Sequence, residues 1–293
     1  MAVGRPAVFK AERICASNCL VGESPVWDPA GECFYWLDIP GMELFCMRGT
    51  GGDLQRYPLP LRVSALALHR DGGFAAATER GFAHLTMSAE GPEFVFGMGP
   101  DLPAGWRMND GACDRQGRFW AGSLSPTPAE QVGALYSLES ASAVTARGGQ
   151  FRVQNGLAWS PDGRRMYVSD SHVSNPHVLR FEFDPETGER RNGVLFADHA
   201  GLGGRPDGAA MDVDGCYWIA ACDSGRVLRL TPDGRIDAEI HVDVTNPTNI
   251  CFGGDDLKTA FITSLRPGGA PEGGDVFAVH LPFQGLAEPS YRP

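Results

Sequence analysis

Apolar residues alternate with polar or small ones in short runs along the chain, and the runs come in pairs joined by turns. In QNGLAWSPDGRRMYVSDS (154–171), Leu157 and Trp159 alternate ahead of Ser-Pro-Asp-Gly, and Met166 and Val168 alternate after it. Period-two patterning around a turn of Pro, Asp and Gly predicts a β-hairpin. The hairpin recurs as ESPVWDPAGECFYWLDI from Glu23, SALALHRDGGFAAAT from Ser64, NDGACDRQGRFWAGS from Asn109, DGAAMDVDGCYWIAA from Asp207 and, more loosely, TNICFGGDDLKTAFITS from Thr248. The turn glycines Gly31, Gly72, Gly117, Gly163 and Gly215 lie 41, 45, 46 and 52 residues apart, and the sixth turn, near Asp256, follows 41 later. Such intervals suit four-stranded propeller blades, whose repeat is about 40–50 residues.

Further short strands between the hairpins, such as GALYSL (133–138), HVLRFEFDPETG (177–188) and GRVLRLTPDG (225–234), supply the outer half of each blade. No segment of helical length carries helical periodicity, and no linker or low-complexity break divides the repeats. The expectation is an all-β fold, a six-bladed β-propeller with four antiparallel strands per blade, in one domain over 1–293. An open sheet edge invites aggregation, so the ring must close. AVFKAERICA (7–16) is predicted to run as an outer strand beside DVFAVHL (275–281).

Register converts the repeat into a site. The first strand of each blade lines the central channel, so equivalent positions converge around the axis at one mouth. Eight residues before each turn glycine stand Glu23, Ser64, Asn109, Asn155 and Asp207, and the sixth copy offers Thr248 or Asn249. Strand ends are often polar because they meet water, but two carboxylates and two amides in one ring are more pointed. Opposed carboxylates in an apolar-walled funnel repel unless a positive charge sits between them. Oxygen donors from Glu23, Asn155 and Asp207, without Cys or His at matching places, suit a hard divalent cation such as Ca²⁺, Mg²⁺ or Mn²⁺. Three protein ligands leave positions open for water and substrate, which is a catalytic arrangement.

Composition narrows the partners. The chain has 293 residues, 43% hydrophobic, with 25 Lys and Arg against 36 Asp and Glu, a formal charge of −11. With no basic stripe, nucleic acid and anionic membrane are not expected partners. The opening residues lack a signal-peptide core and no apolar run reaches membrane-span length, so a soluble cytoplasmic protein is expected, monomeric or weakly self-associating. Eight scattered cysteines read as reduced thiols. No G-x-S-x-G elbow or H-E-x-x-H motif occurs. The isolated histidines, including His172 and His177, read as structural. Asp110, Asp114, Asp162 and Asp214 read as turn formers.

GESPVWD (22–28), RVSALAL (62–68), R-x-NDG (Arg107 to Gly111), GALYSL, NGLAWSPDG, PDG (206–208), GRVLRL and CFGGDDL (251–257) occur in the order and spacing of the regucalcin (senescence marker protein) and gluconolactonase family of sugar lactonases, which the chain resembles over nearly its whole length. The resemblance implies one divalent metal ion (Ca²⁺, Mg²⁺, Mn²⁺, Zn²⁺ or Fe²⁺) held by Glu23, Asn155 and Asp207. It also implies that Arg107 and Asn109 bind substrate oxygens, that Asp207 acts as general base, and that an aldonolactone is hydrolysed to its aldonic acid. The alternative is a calcium-handling or ligand-binding propeller without turnover. Some family members carry a substrate-contacting Glu shortly after the AG[ST] strand, whereas here AGS (121–123) is followed by Leu124-Ser125-Pro126-Thr127. Glucono-, galactono-, xylono- and arabinono-lactone therefore all stand as candidate substrates.

Overall fold

The computed structural model describes residues 5–97, 99–268, 270 and 272–293. Each hairpin of the sequence forms the inner half of one sheet, and the six sheets are arranged as a β-propeller. The innermost strands are Gly22–Asp28, Val63–Leu68, Arg107–Cys113, Gln154–Trp159, Arg205–Met211 and Pro247–Gly253. Their antiparallel partners across the turns are Cys33–Asp38, Phe74–Thr78, Phe119–Leu124, Arg165–Asp170, Tyr217–Cys222 and Thr259–Ser264. Two further antiparallel strands complete each blade.

The ring closes as expected. Glu12–Cys15 is the outer strand of the sixth blade, antiparallel to Val276–His280, with Glu12 opposite Ala278 and Arg13 opposite Phe277. The residues just before it do more than the sequence suggested. Ala7–Lys10 runs parallel to Ile236–His241, as a fifth strand on the fifth blade. The N-terminal segment thus ties two blades together and covers an edge that would otherwise stand open. Among the described residues helix is confined to one turn, His199–Leu202, capped by Asp198 accepting from the Gly201 amide.

Six apolar clusters hold the ring, one between each pair of neighbouring blades. Phe34, Trp36 and Phe45 of the first blade pack with Phe261 of the sixth, and Trp120, Trp159, Met166 and Phe183 join the third and fourth. Trp218 and Phe252 join the fifth and sixth. Each fully buried large side chain contributes about 1.5–3 kcal/mol, so every blade is stabilised through both neighbours.

The turns show why Asp recurs in them. Asp114 accepts from the Gln116 and Arg118 amides at 3.0 and 3.1 Å, and its second oxygen takes the Trp120 indole N–H at 2.9 Å. Asp162 accepts from the Arg164 amide at 3.0 Å. At the fifth turn the amides are held by Asp212, not by Asp214 as the sequence reading had it, and Asp214 instead pairs with Arg229 at 2.9 Å. All eight cysteines are free thiols. Among the described residues, no helix is long and apolar enough to cross a membrane.

The C-terminal residues cross the face that carries the hairpin turns. The Gly285 amide bonds to Leu257 O, Leu286 to Met211 O, Tyr291 to Leu68 O and Arg292 to Gly117 O, at 2.7–2.9 Å. Arg115 Nη1 donates to Ala287 O at 3.0 Å. This strap joins four blades and stands across the rear end of the axis.

Candidate active site

In all six blades the register between the innermost strand and its partner shifts at the polar position, between Glu23 and Val26, Val63 and Ala65, Met108 and Gly111, Asn155 and Ala158, Pro206 and Ala209, and Pro247 and Asn249. A bulge bends its strand and re-aims the side chains on it. At the fourth blade the bulge needs a left-handed residue, Gly156, with φ of 61°. A Cβ there would come within 2.5 Å of the Tyr217 hydroxyl and 2.9 Å of Asp207 O. Tyr217 holds the same residue by donating to Gly156 O at 2.7 Å.

The bulges bring the sequence-derived residues into two hydrogen-bonded groups. In the first, Arg107 Nη1 donates to Asn109 Oδ1 at 2.7 Å and to Met108 O at 2.9 Å. Asn109 Nδ2 then donates to Asn155 Oδ1 at 2.9 Å and to Gln154 O at 2.6 Å, and Asn155 Nδ2 donates to Ser171 Oγ at 2.7 Å. Asn109 therefore spends both amide hydrogens inside the protein, orienting Asn155. In the second group, Glu23 Oε2 accepts from Asn249 Nδ2 and from the Ser24 amide, each at 2.9 Å. The sixth blade thus contributes Asn249. Thr248 is turned to Gly22 O and the Thr263 hydroxyl, and Ser64 is spent on the carbonyls of Ala77, Met108 and Asn109.

Asp207 stands apart from both groups, and among the described residues no donor bonds to its carboxylate. Nearby lies a residue that the sequence reading assigned to a turn. Asp110 is buried, and Oδ2 accepts from the Leu157 amide at 3.2 Å. Its place next to Asn109 in the bulge is why: two consecutive residues leave the strict alternation.

Three carboxyls and one guanidinium thus crowd the axis. Burial raises Glu23, against the opposing help of Asn249, the Ser24 amide and Arg107. Burial and then the Glu23 charge push Asp110 up to about 7, in spite of the backbone amides that it accepts. Burial, Glu23 and Asp110 hold Asp207 well above the usual carboxylate range. Loss of water pulls Arg107 down to about 10, with Glu23 opposing, so it stays charged at neutral pH. Arg205 also lowers Asp207 but is paired with Asp223 at 2.6 Å, so among the described residues the carboxylates on the axis outnumber the cations facing them. The donor set fits a divalent ion: two carboxylates, Glu23 and Asp207, with the Asn155 amide oxygen. Among the described residues, no group of three or more His, Cys, Asp or Glu side chains comes together to hold a metal ion.

Residues 21–266 match the SMP-30/Gluconolactonase/LRE-like region. The chain is 37% identical to 6-deoxy-6-sulfogluconolactonase of Pseudomonas putida, over 93% of this chain and 95% of that protein. It is 31% identical to human regucalcin, over 97% and 98%. Among solved structures, a calcium-binding regucalcin from Agrobacterium tumefaciens superposes with a TM-score of 0.91 at 26% identity, over 99% of this chain and 100% of that one. A gluconolactonase from Xanthomonas campestris shares the fold at a TM-score of 0.73 and 20% identity, over 96% and 99%. With its propeller, its axial ring of oxygen donors and a match spanning most of its length, the chain belongs to the SMP-30/gluconolactonase/LRE-like family.

Proposed function

We propose that the protein is a dication-dependent lactonase that opens an aldonolactone to its aldonic acid at the mouth bounded by Glu23, Arg107, Asn155 and Asp207. The observation that carries this reading is the excess of buried carboxylate over cation on the axis, together with an Asp207 carboxylate that no protein donor satisfies among the described residues. A scaffold gains nothing from such repulsion, whereas a site for a divalent ion requires it.

Glu23, Asn155 and Asp207 would hold the ion, which when bound supplies a Lewis acid that polarises the lactone carbonyl and acidifies a water. Asn109 fixes Asn155 from one side, and Asn249 fixes Glu23 from the other. Such partners outside the ligand set typically carry tenfold to hundredfold in affinity or activity. Asp207 would take the proton from the attacking water, since among the described residues no donor engages its carboxylate oxygens. The planar fork of Arg107 is suited to sugar hydroxyls or to charge developing on the acyl oxygen. Relatives named for sulfogluconolactone and gluconolactone support an aldonolactone as substrate.

The test is acid release from glucono-, galactono-, xylono-, arabinono- and 6-deoxy-6-sulfogluconolactone, corrected for spontaneous opening, before and after chelation and metal add-back. Turnover that is lost with the metal and restored by it is the expected result. Tight calcium binding without turnover on any of these lactones would favour the alternative, a calcium-handling propeller, which the regucalcin relatives keep in view.

A further inference from the structure

Behind the ring lies a narrow cavity that the mechanism so far does not use. Asp110 and Asn249 stand at its inner end, and Glu288 and Pro289 of the C-terminal strap at its outer end. Between them the walls are mostly apolar, including Val26, Leu66, Leu157 and Ile250. About 50 Å³ is open within it, room for about one or two water molecules, with polar groups at each end.

Glu288 is unusual for a strap residue. Among the described residues its carboxylate has no hydrogen-bond donor, and Arg115, the nearest cation, is turned to Ala287 O. Cys113 and Cys251 line the same cavity as Glu288; burial raises both thiols, with the charges of Asp114 and then Glu288 adding at Cys113 and that of Glu288 at Cys251. As a whole, Glu288 remains exposed to solvent. Glu288 therefore touches the closed channel on one side and bulk water on the other.

We propose that this cavity is a rear water path, and that Glu288 receives the proton liberated by hydrolysis and passes it to solvent on the face opposite the substrate. The inference rests on the lactonase reading. Opening the ring adds water to the acyl carbon and breaks the bond from that carbon to the ring oxygen. One water proton ends on the departing ring oxygen, which becomes a hydroxyl. The acid proton of the new carboxyl must leave, because an aldonic acid is ionised at neutral pH. A lactone seated against Arg107 would stand in the front mouth. A second way out then runs through the floor at Asp110 and along the cavity to Glu288. Crowding by the channel walls pushes the Glu288 carboxyl up to about 7, which suits a group that must both take and release a proton near neutrality.

Glu288→Gln tests this in the full-length, metal-loaded enzyme. The expected result at pH 7 in dilute buffer is a kcat lowered by roughly tenfold with KM, metal content and melting temperature unchanged. The deficit should shrink as imidazole is raised, because a small base replaces the missing acceptor, and the solvent isotope effect on kcat should rise. Glu288→Asp should recover part of the rate in dilute buffer. A kcat equal to wild type at every imidazole concentration, or a deficit that imidazole leaves unchanged, would overturn the relay. Failure of the wild-type protein to open any lactone would instead remove the reading beneath it, so the two failures are distinguishable.

Discussion

Gly156→Ala is the substitution that most sharply couples the fold to the site. Gly156 sits in the bulge between Asn155 and Ala158 at φ of 61°, a region that costs an L-residue about 1–2 kcal/mol. Its new Cβ would also lie 2.5 Å from the Tyr217 hydroxyl, 2.7 Å from Ser169 Oγ and 2.9 Å from Asp207 O. Tyr217 is fully buried and has nowhere to retreat, so overpacking adds about 1–3 kcal/mol. The sum, about 2–5 kcal/mol, is a large part of the stability of an ordinary domain. The strain is released by moving the bulge, which carries Asn155 on one side and presses on the Asp207 backbone on the other. Thermal unfolding of the metal-free protein should show a drop on the order of 5–10 °C, and metal titration should show affinity lowered at least tenfold, on the order seen for supporting residues. Gly148→Ala is the control. Gly148 has a similar φ of 67° but nothing within 4 Å of its Cβ, so only the backbone cost applies. A Gly156→Ala protein that melts and binds metal like the Gly148→Ala control would refute the claim that this bulge is packed to position Asn155.

Three further outcomes follow from the same geometry. Glu23→Gln and Asp207→Ala should each cut metal affinity and remove most lactonase activity while leaving the melting temperature of the metal-free protein no lower than wild type, since each removes a repelling charge; unchanged metal content in either would show the ligand set to be wrong. Arg107→Lys keeps the charge but loses the fork that reaches Asn109, so kcat/KM should fall while metal affinity changes by less than about tenfold; an equal loss of metal would place Arg107 among the determinants of the ion. The metal-free protein should lose stability as pH rises from about 4 to about 7. Unfolded, Asp110 ionises at the ordinary carboxylate value, but in the fold it keeps its proton up to about 7, so the folded state binds more protons throughout that window. Glu23 and Asp207 are shifted in the same direction, and a bound dication should flatten the dependence, so a metal-free melting temperature that rises over that window would contradict the electrostatics.

The repeat and the ring were legible in the sequence because both rest on strict spacing. A polar residue eight positions before a turn glycine is visible wherever strands alternate and turns need glycine. What escaped was local departure from that alternation. Asp110 directly follows a ring residue, and period-two reasoning turns it away from the axis, but the bulge between Met108 and Gly111 brings it in. Gly111, Gly156 and Gly208 stand one or two places after the polar residue in three blades, and this clustering was the available signal for a bulge. Ser64 and Thr248 satisfied the pattern yet serve backbone carbonyls of the neighbouring blade, Met108 O and Gly22 O. The strap, broken by Pro282, Pro289 and Pro293 and without periodicity, gave no sign that it would cross the rear of the channel. Ala7–Lys10 was too short to reveal a parallel partner on another blade.

The most direct measurement of the central claim is lactone hydrolysis by the fully demetallated protein as one divalent ion is titrated in, with metal bound and acid released followed together. The account predicts no enzymatic rate without metal and a rate that rises in step with occupancy and saturates at one ion per chain. Full turnover in protein shown to be free of metal, or a rate that needs two ions, would contradict it.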